Sequence, residues 1–168
     1  DINGCIANAS VTLTQPPQLI MGSSQPTTIC LGSNTTITGS ATGGVQPYTF
    51  TWNNGFVGSS QTVGPNTNTN YYVRVRDANN CLAGPDTVEV LVRPPLSVIV
   101  TPSFEICEGE SGTVQATASG GDANFSYSWT NGLGISPGPI TVTPDTTTTY
   151  IITVTDGCGT PAAIGNVK

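Results

Sequence analysis

Gly43-Gly44-Val45-Gln46-Pro47-Tyr48-Thr49-Phe50-Thr51-Trp52 is the stretch that decides the fold, because it is written twice. Gly120-Gly121-Asp122-Ala123-Asn124-Phe125-Ser126-Tyr127-Ser128-Trp129 repeats it 77 residues later. In both copies aromatic residues alternate with small polar ones, the period of a strand with one buried face. Tyr48, Phe50 and Trp52 share one side, as do Phe125, Tyr127 and Trp129, and the intervening Thr, Ser and Asn face water. The flanking landmarks recur in the same order. Ile29-Cys30-Leu31-Gly32 returns as Ile106-Cys107-Glu108-Gly109, Tyr71-x-Val73-x-Val75-x-Asp77 as Tyr150-x-Ile152-x-Val154-x-Asp156, and Cys81 as Cys158. Landmarks kept in order at a near-constant offset establish an internal repeat.

A third copy contributes only its tail. Asp1-Ile2-Asn3-Gly4-Cys5 aligns with Asp77-Ala78-Asn79-Asn80-Cys81, and each is followed by an alternating run and a proline pair, Pro16-Pro17 or Pro94-Pro95. Proline pairs hold the chain extended and cannot join a ladder, so they mark stiff junctions. The expected organisation is the end of a preceding repeat over 1–17 and two repeats over 18–94 and 95–168. Turn signals every 8–12 residues predict strands near 18–22, 35–41, 47–53, 60–64, 70–76 and 86–93. In the second repeat they fall near 96–101, 112–118, 124–130, 139–143, 149–155 and 162–167. The fold class is all-β, tandem immunoglobulin-like sandwiches in an extended array. Tyr48, Phe50, Trp52 and Tyr71 form the expected core of the first, and Phe125, Tyr127, Trp129 and Tyr150 that of the second. The position of Tyr71 and Tyr150 resembles the tyrosine corner of such sandwiches.

Composition agrees and removes most function classes. The 168 residues include 27 Thr, 20 Gly and 13 Pro, but only 4 Lys+Arg and no His. Helix formers are scarce, and Thr, Val, Ile and Tyr suit half-buried strands. A formal net charge of −6 gives no basic footprint for phosphates, so nucleic acid is not an expected partner. Without His, the commonest general base and metal ligand are missing. No apolar run reaches membrane-spanning length. The chain opens without an initiator Met or leader, and reads as a slice of something longer. No enzyme activity, metal or cofactor is expected.

Five cysteines in such a chain indicate disulfides in an oxidising compartment. Two pairings are open. Within repeats, Cys30 would join Cys81 and Cys107 would join Cys158. In an immunoglobulin-like strand order, however, Cys30 and Cys81 lie at opposite ends of the sandwich, ~20 Å apart. A disulfide needs Cα atoms within ~7 Å. The second pairing joins Cys30 to Cys158 across the junction, leaving Cys5, Cys81 and Cys107 for partners in neighbouring repeats. Free thiols are the third state.

Other candidates meet plainer readings. Glu105, Glu108 and Glu110 surround Cys107 as a solvated turn and lack a calcium-loop pattern. Asp77, Asp156 and Asp1 recur where an Asx turn would cap the strand, with a junction calcium as the alternative. No carboxylate pair or nucleophile–base arrangement suggests catalysis. Trp52-Asn53-Asn54-Gly55 and Trp129-Thr130-Asn131-Gly132 read as core tryptophans before turns, with sugar stacking as the alternative. Tyr72 is the exposed binding candidate, because Tyr71 and Val73 on either side point inward. Asn8, Asn34 and Asn124 head N-x-[ST] tripeptides.

The run from Asp1-Ile2-Asn3-Gly4-Cys5 to Thr12-Leu13-Thr14-Gln15-Pro16-Pro17, the Gly-Gly…Tyr-x-Phe-x-Trp core and the Tyr…Val-x-Asp…Cys ending resemble SprB-type repeats and their PKD/immunoglobulin-like relatives. These build giant gliding-motility adhesins and other surface proteins of Bacteroidota. The resemblance implies a non-catalytic, extracellular, cell-surface stalk or filament body exported by type 9 secretion. Its implied partners are neighbouring repeats of the same chain, surface polysaccharide and other copies of the filament. It also implies O-glycosylation at Thr87 in Asp86-Thr87-Val88 and Thr146 in Asp145-Thr146-Thr147. The alternatives are a carbohydrate-binding module of a secreted enzyme and a self-assembling filament subunit. Asp156-Gly157-Cys158 departs from the family by a shorter turn.

Overall fold

The computed structural model describes residues 8–168; the expectations resting on Asp1 and Cys5 lie outside the described residues. Among the described residues the chain forms strands and no helix. The first sandwich contains β1 (Ile20–Ser23), β2 (Thr27–Ile29), β3 (Thr35–Thr42), β4 (Thr49–Trp52), β5 (Ser60–Val63), β6 (Thr69–Arg76) and β7 (Leu82–Val92). The second contains β8 (Ser97–Val100), β9 (Gly112–Val114), β10 (Ala116–Ser119), β11 (Ser126–Trp129), β12 (Ile140–Val142), β13 (Tyr150–Thr155) and β14 (Ala163–Val167).

The first sandwich packs a sheet of order β1-β3-β5 with one of order β2-β7-β6-β4. β4 and β6 are antiparallel, Phe50 opposite Val75 and Trp52 opposite Val73, so the aromatic side of β4 adjoins the apolar side of β6. Ile37, Val73, Val75, Val88 and Val90 have no exposed surface. Each such side chain contributes about 1.5–3 kcal/mol by leaving water. Buried Gln61 accepts an Asn54 Nδ2 hydrogen bond at 2.8 Å, which offsets its desolvation.

β2 is the strand that sequence periodicity does not show. Three residues between Pro26 and Gly32 are too few for an alternation to emerge. The chain leaves β1, which pairs antiparallel with β3, and crosses to the other sheet, where β2 runs parallel to β7 with Ile29 opposite Val92. Cys30 therefore follows a strand as well as preceding one. The alternating run Ser10–Thr14 forms no strand, and Val11 and Leu13 are exposed.

In the second sandwich β11-β13-β14 form one sheet, and β8 pairs with β10 and β9 with β12. The expected continuous strand 112–118 is broken at Gln115, whose N–H donates to Thr101 Oγ1 (2.8 Å) while its carbonyl accepts from the Thr101 N–H (2.9 Å). Val114 and Ala116 stay buried on either side, so the alternation runs through the break. Trp129, Tyr150, Ile152, Val154 and Val167 share its core, with Phe125 and Tyr127 partly buried against it.

The repeated Gly-Gly has a specific task. Gly43 and Gly120 adopt φ of 73° and 84°, and a Cβ on them would collide with the Gln18 and Pro95 carbonyls. The next N–H, of Gly44 or Gly121, donates to Pro17 O (2.7 Å) or Pro94 O (2.9 Å). Each proline pair is thereby pinned to the sandwich that follows it.

The chain resolves into two compact units that cut across the sequence repeats. Residues 25–36, 62–70 and 89–168 form one, and residues 37–61 and 71–88 belong to the other, with the chain up to Ser24.

Candidate functional site

The cysteine turns are the most chemically distinctive groups in the chain. Cys30 and Cys158, both in the unit containing 25–36 and 89–168, are joined by a disulfide with a Cα–Cα distance of 5.5 Å. Cys81 and Cys107 are exposed and unbonded. The pairing within repeats is therefore not the one present, and the strand geometry gives the reason. Ile29 lies opposite Val92 at the end of β7, and its carbonyl accepts from the Arg93 N–H at 2.9 Å. Cys81 precedes Leu82 at the start of β7. The length of that strand, about 30 Å at ~3.3 Å per residue, separates Cys81 from Cys30.

Two kinds of turn carry these cysteines. The turn after β2 closes with a Ser33 N–H to Cys30 O bond of 3.0 Å, and the second repeat reproduces it with Glu110 N–H to Cys107 O at 3.0 Å. Gly32 and Gly109 share φ 81°. The turns after β6 and β13 are instead organised by an aspartate. Asp77 Oδ1 accepts the Cys81 N–H (2.8 Å) and its Oδ2 accepts the Val45 N–H (2.9 Å). Asp156 Oδ1 accepts the Cys158 N–H (3.2 Å) and the Thr160 hydroxyl (3.1 Å), and its Oδ2 accepts the Asp122 N–H (3.3 Å). The Val45 bond, with those from the Cys81 turn, outweighs desolvation and holds the Asp77 carboxyl below the usual carboxylate value. These aspartates tie the turn of the Gly-Gly loop to the cysteine turn.

Cys107 borders a cavity of about 660 Å³, with Phe104, Pro144, Tyr150 and Val167 among its apolar walls and Glu108, Asp145 and Lys168 at polar ones. Glu105, Glu108 and Glu110 are exposed, and among the described residues no group of three His, Cys, Asp or Glu side chains could hold a metal ion.

Trp52 and Trp129 are 4% and 6% exposed, which leaves no ring face for a sugar. Their indole N–H groups donate to Gly58 O and Ser136 O, each at 2.9 Å. Tyr71 and Phe50 are buried; Tyr48 is half-buried and donates its hydroxyl to Gly43 O. Tyr72 is 44% exposed on the outer side of β6, and shares a shallow groove with Thr51, Asn53, Arg74 and Pro85. The groove was not legible as a site beyond Tyr72, because register across β4, β6 and β7 assembles it. The second repeat has Ile151 and Thr153 where the first has Tyr72 and Arg74. Thr87 and Thr146 are both exposed. Among the described residues no helix is long and apolar enough to cross a membrane.

Residues 28–56 and 105–134 match the SprB repeat family, and together cover less than half of the chain. No curated protein sequence matches significantly. Among solved structures, a three-immunoglobulin-domain fragment of titin (I67–I69, Glu-to-Ala variant) aligns with TM-score 0.54 and 13% identity over 93% of this chain. The I-band fragment I67–I69 from titin aligns with TM-score 0.52, also at 13% identity over 93%. This chain spans 66% of the length of either fragment. At such identity the likeness concerns fold: tandem immunoglobulin-like β-sandwiches.

Proposed function

We propose that this chain is a non-catalytic spacer segment of a large bacterial cell-surface adhesin, its repeats forming a stalk or filament body outside the cell. The observation that carries this reading is the Cys30–Cys158 bond, which joins a residue of one sequence repeat to a residue of the next. A crosslink of that kind lets tension pass between repeats without relying on the extended proline pair alone. The SprB matches fall on corresponding parts of the two repeats and support a surface-adhesin context, with gliding motility and type 9 secretion as the finer reading. A surface with few charges and many Thr hydroxyls suits long exposure outside the cell. Thr87 and Thr146, at exposed positions, are proposed O-glycan acceptors. Single-molecule pulling tests the role. An oxidised chain should extend by less contour length than its reduced form, because the 128-residue span between Cys30 and Cys158 is locked. Equal extensions in both states would refute the load-bearing role.

A second reading rests on the Tyr72 groove. An aromatic face beside Arg74, Asn53 and Thr51 has the composition of a shallow polysaccharide subsite. A glycan array screened with the intact chain and with Tyr72→Ala tests it. Binding that disappears in the variant supports a carbohydrate-binding module, and a blank array removes it.

A further inference from the structure

We infer that Cys107 and Cys81 are complementary halves of a directional covalent junction, and that the partner each accepts is the opposite cysteine turn of another copy of this chain. The inference rests on the proposed reading of Cys30–Cys158 as a link between repeats, and extends it to the two exposed thiols.

The argument is one of equivalence. Cys30 and Cys107 occupy the same repeat position, 77 residues apart, as do Cys81 and Cys158. The one disulfide among the described residues joins the first kind of turn to the second. Each unbonded cysteine sits in a turn anchored as that of its bonded counterpart is, although the turn from Asp77 to Cys81 is two residues longer than that from Asp156 to Cys158. Cys107 reproduces the 3.0 Å turn of Cys30, and the Cys81 N–H is held by Asp77 as the Cys158 N–H is held by Asp156. The cavity beside Cys107 adds a recess into which an incoming turn can settle. Such a contact is heterologous, because the two surfaces differ, and it propagates head to tail from one copy to the next.

The chemistry requires an external disulfide as oxidant, here glutathione disulfide. The Cys107 thiolate attacks it, one glutathione leaves as thiol, and a mixed disulfide remains. The Cys81 thiolate of a second copy then displaces the other glutathione. Two protein thiols become one disulfide, and their protons end on the two glutathione thiols released.

The test uses the 168-residue chain carrying Cys5→Ser, so that Cys81 and Cys107 are the only thiols left besides Cys30 and Cys158. Cys81→Ser and Cys107→Ser versions of that chain are mixed in equal amounts in a glutathione redox buffer, and the products are mapped without reduction. The Cys81–Cys107 heterodimer should exceed either homodimer by about tenfold, against about twofold for random pairing of exposed thiols. A random distribution, or an excess of Cys107–Cys107, overturns the inference while a Cys30–Cys158 peptide in the same digest leaves the stalk reading standing. Absence of the Cys30–Cys158 peptide overturns both.

Discussion

Replacing Cys30 and Cys158 together by Ser removes the disulfide without leaving an unpaired thiol. The bond closes a sequence separation of 128 residues. Chain-entropy arithmetic at that length gives about 5 kcal/mol of stabilisation at 25 °C. Part of the intervening chain, residues 37–61 and 71–88, belongs to the other compact unit. The dependence on length is logarithmic, so even a loop shortened to about 85 residues still gives about 4.5 kcal/mol. Both cysteines lie in the unit containing Trp129, while Trp52 lies in the other. Buried in each case, the two indoles report separately in Trp129→Phe and Trp52→Phe backgrounds. With a urea slope of about 2 kcal/mol per molar, the Trp129-reported midpoint should fall by about 2 M in the double-serine protein. The Trp52-reported midpoint should move much less. A Trp129 shift below about 0.5 M, or an equal shift of both reporters, would refute the assignment of the bond to one unit.

Ile152→Ala, at a position with no exposed surface, should cost about 3 kcal/mol in the Trp129-reported transition, whereas exposed Ile151→Ala on the same strand should stay within about 0.5 kcal/mol. Gly120→Ala and Gly109→Ala share the strain of a side chain at φ 84° and 81°, but only the first drives its Cβ onto a carbonyl, that of Pro95, so it should cost at least about 2 kcal/mol more than Gly109→Ala by thermal unfolding. Asp77 has a folded pKa below its ordinary 3.8, so its bonds stabilise the protein above about pH 4 and are lost as pH falls through the folded value. Urea midpoints at pH 5 and pH 3 should therefore diverge less in Asp77→Asn than in the unmodified chain; an unchanged divergence would show that Asp77 is not the acid-sensitive group.

The all-β, tandem class was legible because it depends on local periodicity. β4 and β6 announce themselves as Thr-Phe-Thr-Trp and Tyr-Tyr-Val-Arg-Val, where alternation, β-branching and bounding turns agree. β2 was illegible for the converse reason: three residues held by pairing with β7 leave no local trace. The break at Gln115 was hidden because burial continues on both sides while hydrogen-bond partners change, and periodicity reports burial alone. The Tyr72 groove depends on which residues of three strands fall side by side, and only its aromatic centre could be named beforehand.

By itself, then, the sequence determined the repeat, the aromatic faces and the kinds of turn that hold the cysteines, since each follows from residues within a few positions of one another. It could not choose between cysteine pairings, because a repeat preserves the spacing of both. Tertiary structure decided that choice. The parallel seating of β2 on β7 places Cys30 a full strand length from Cys81, and a bond with about 5.5 Å between Cα atoms can form only where folded turns meet, as those of Cys30 and Cys158 do.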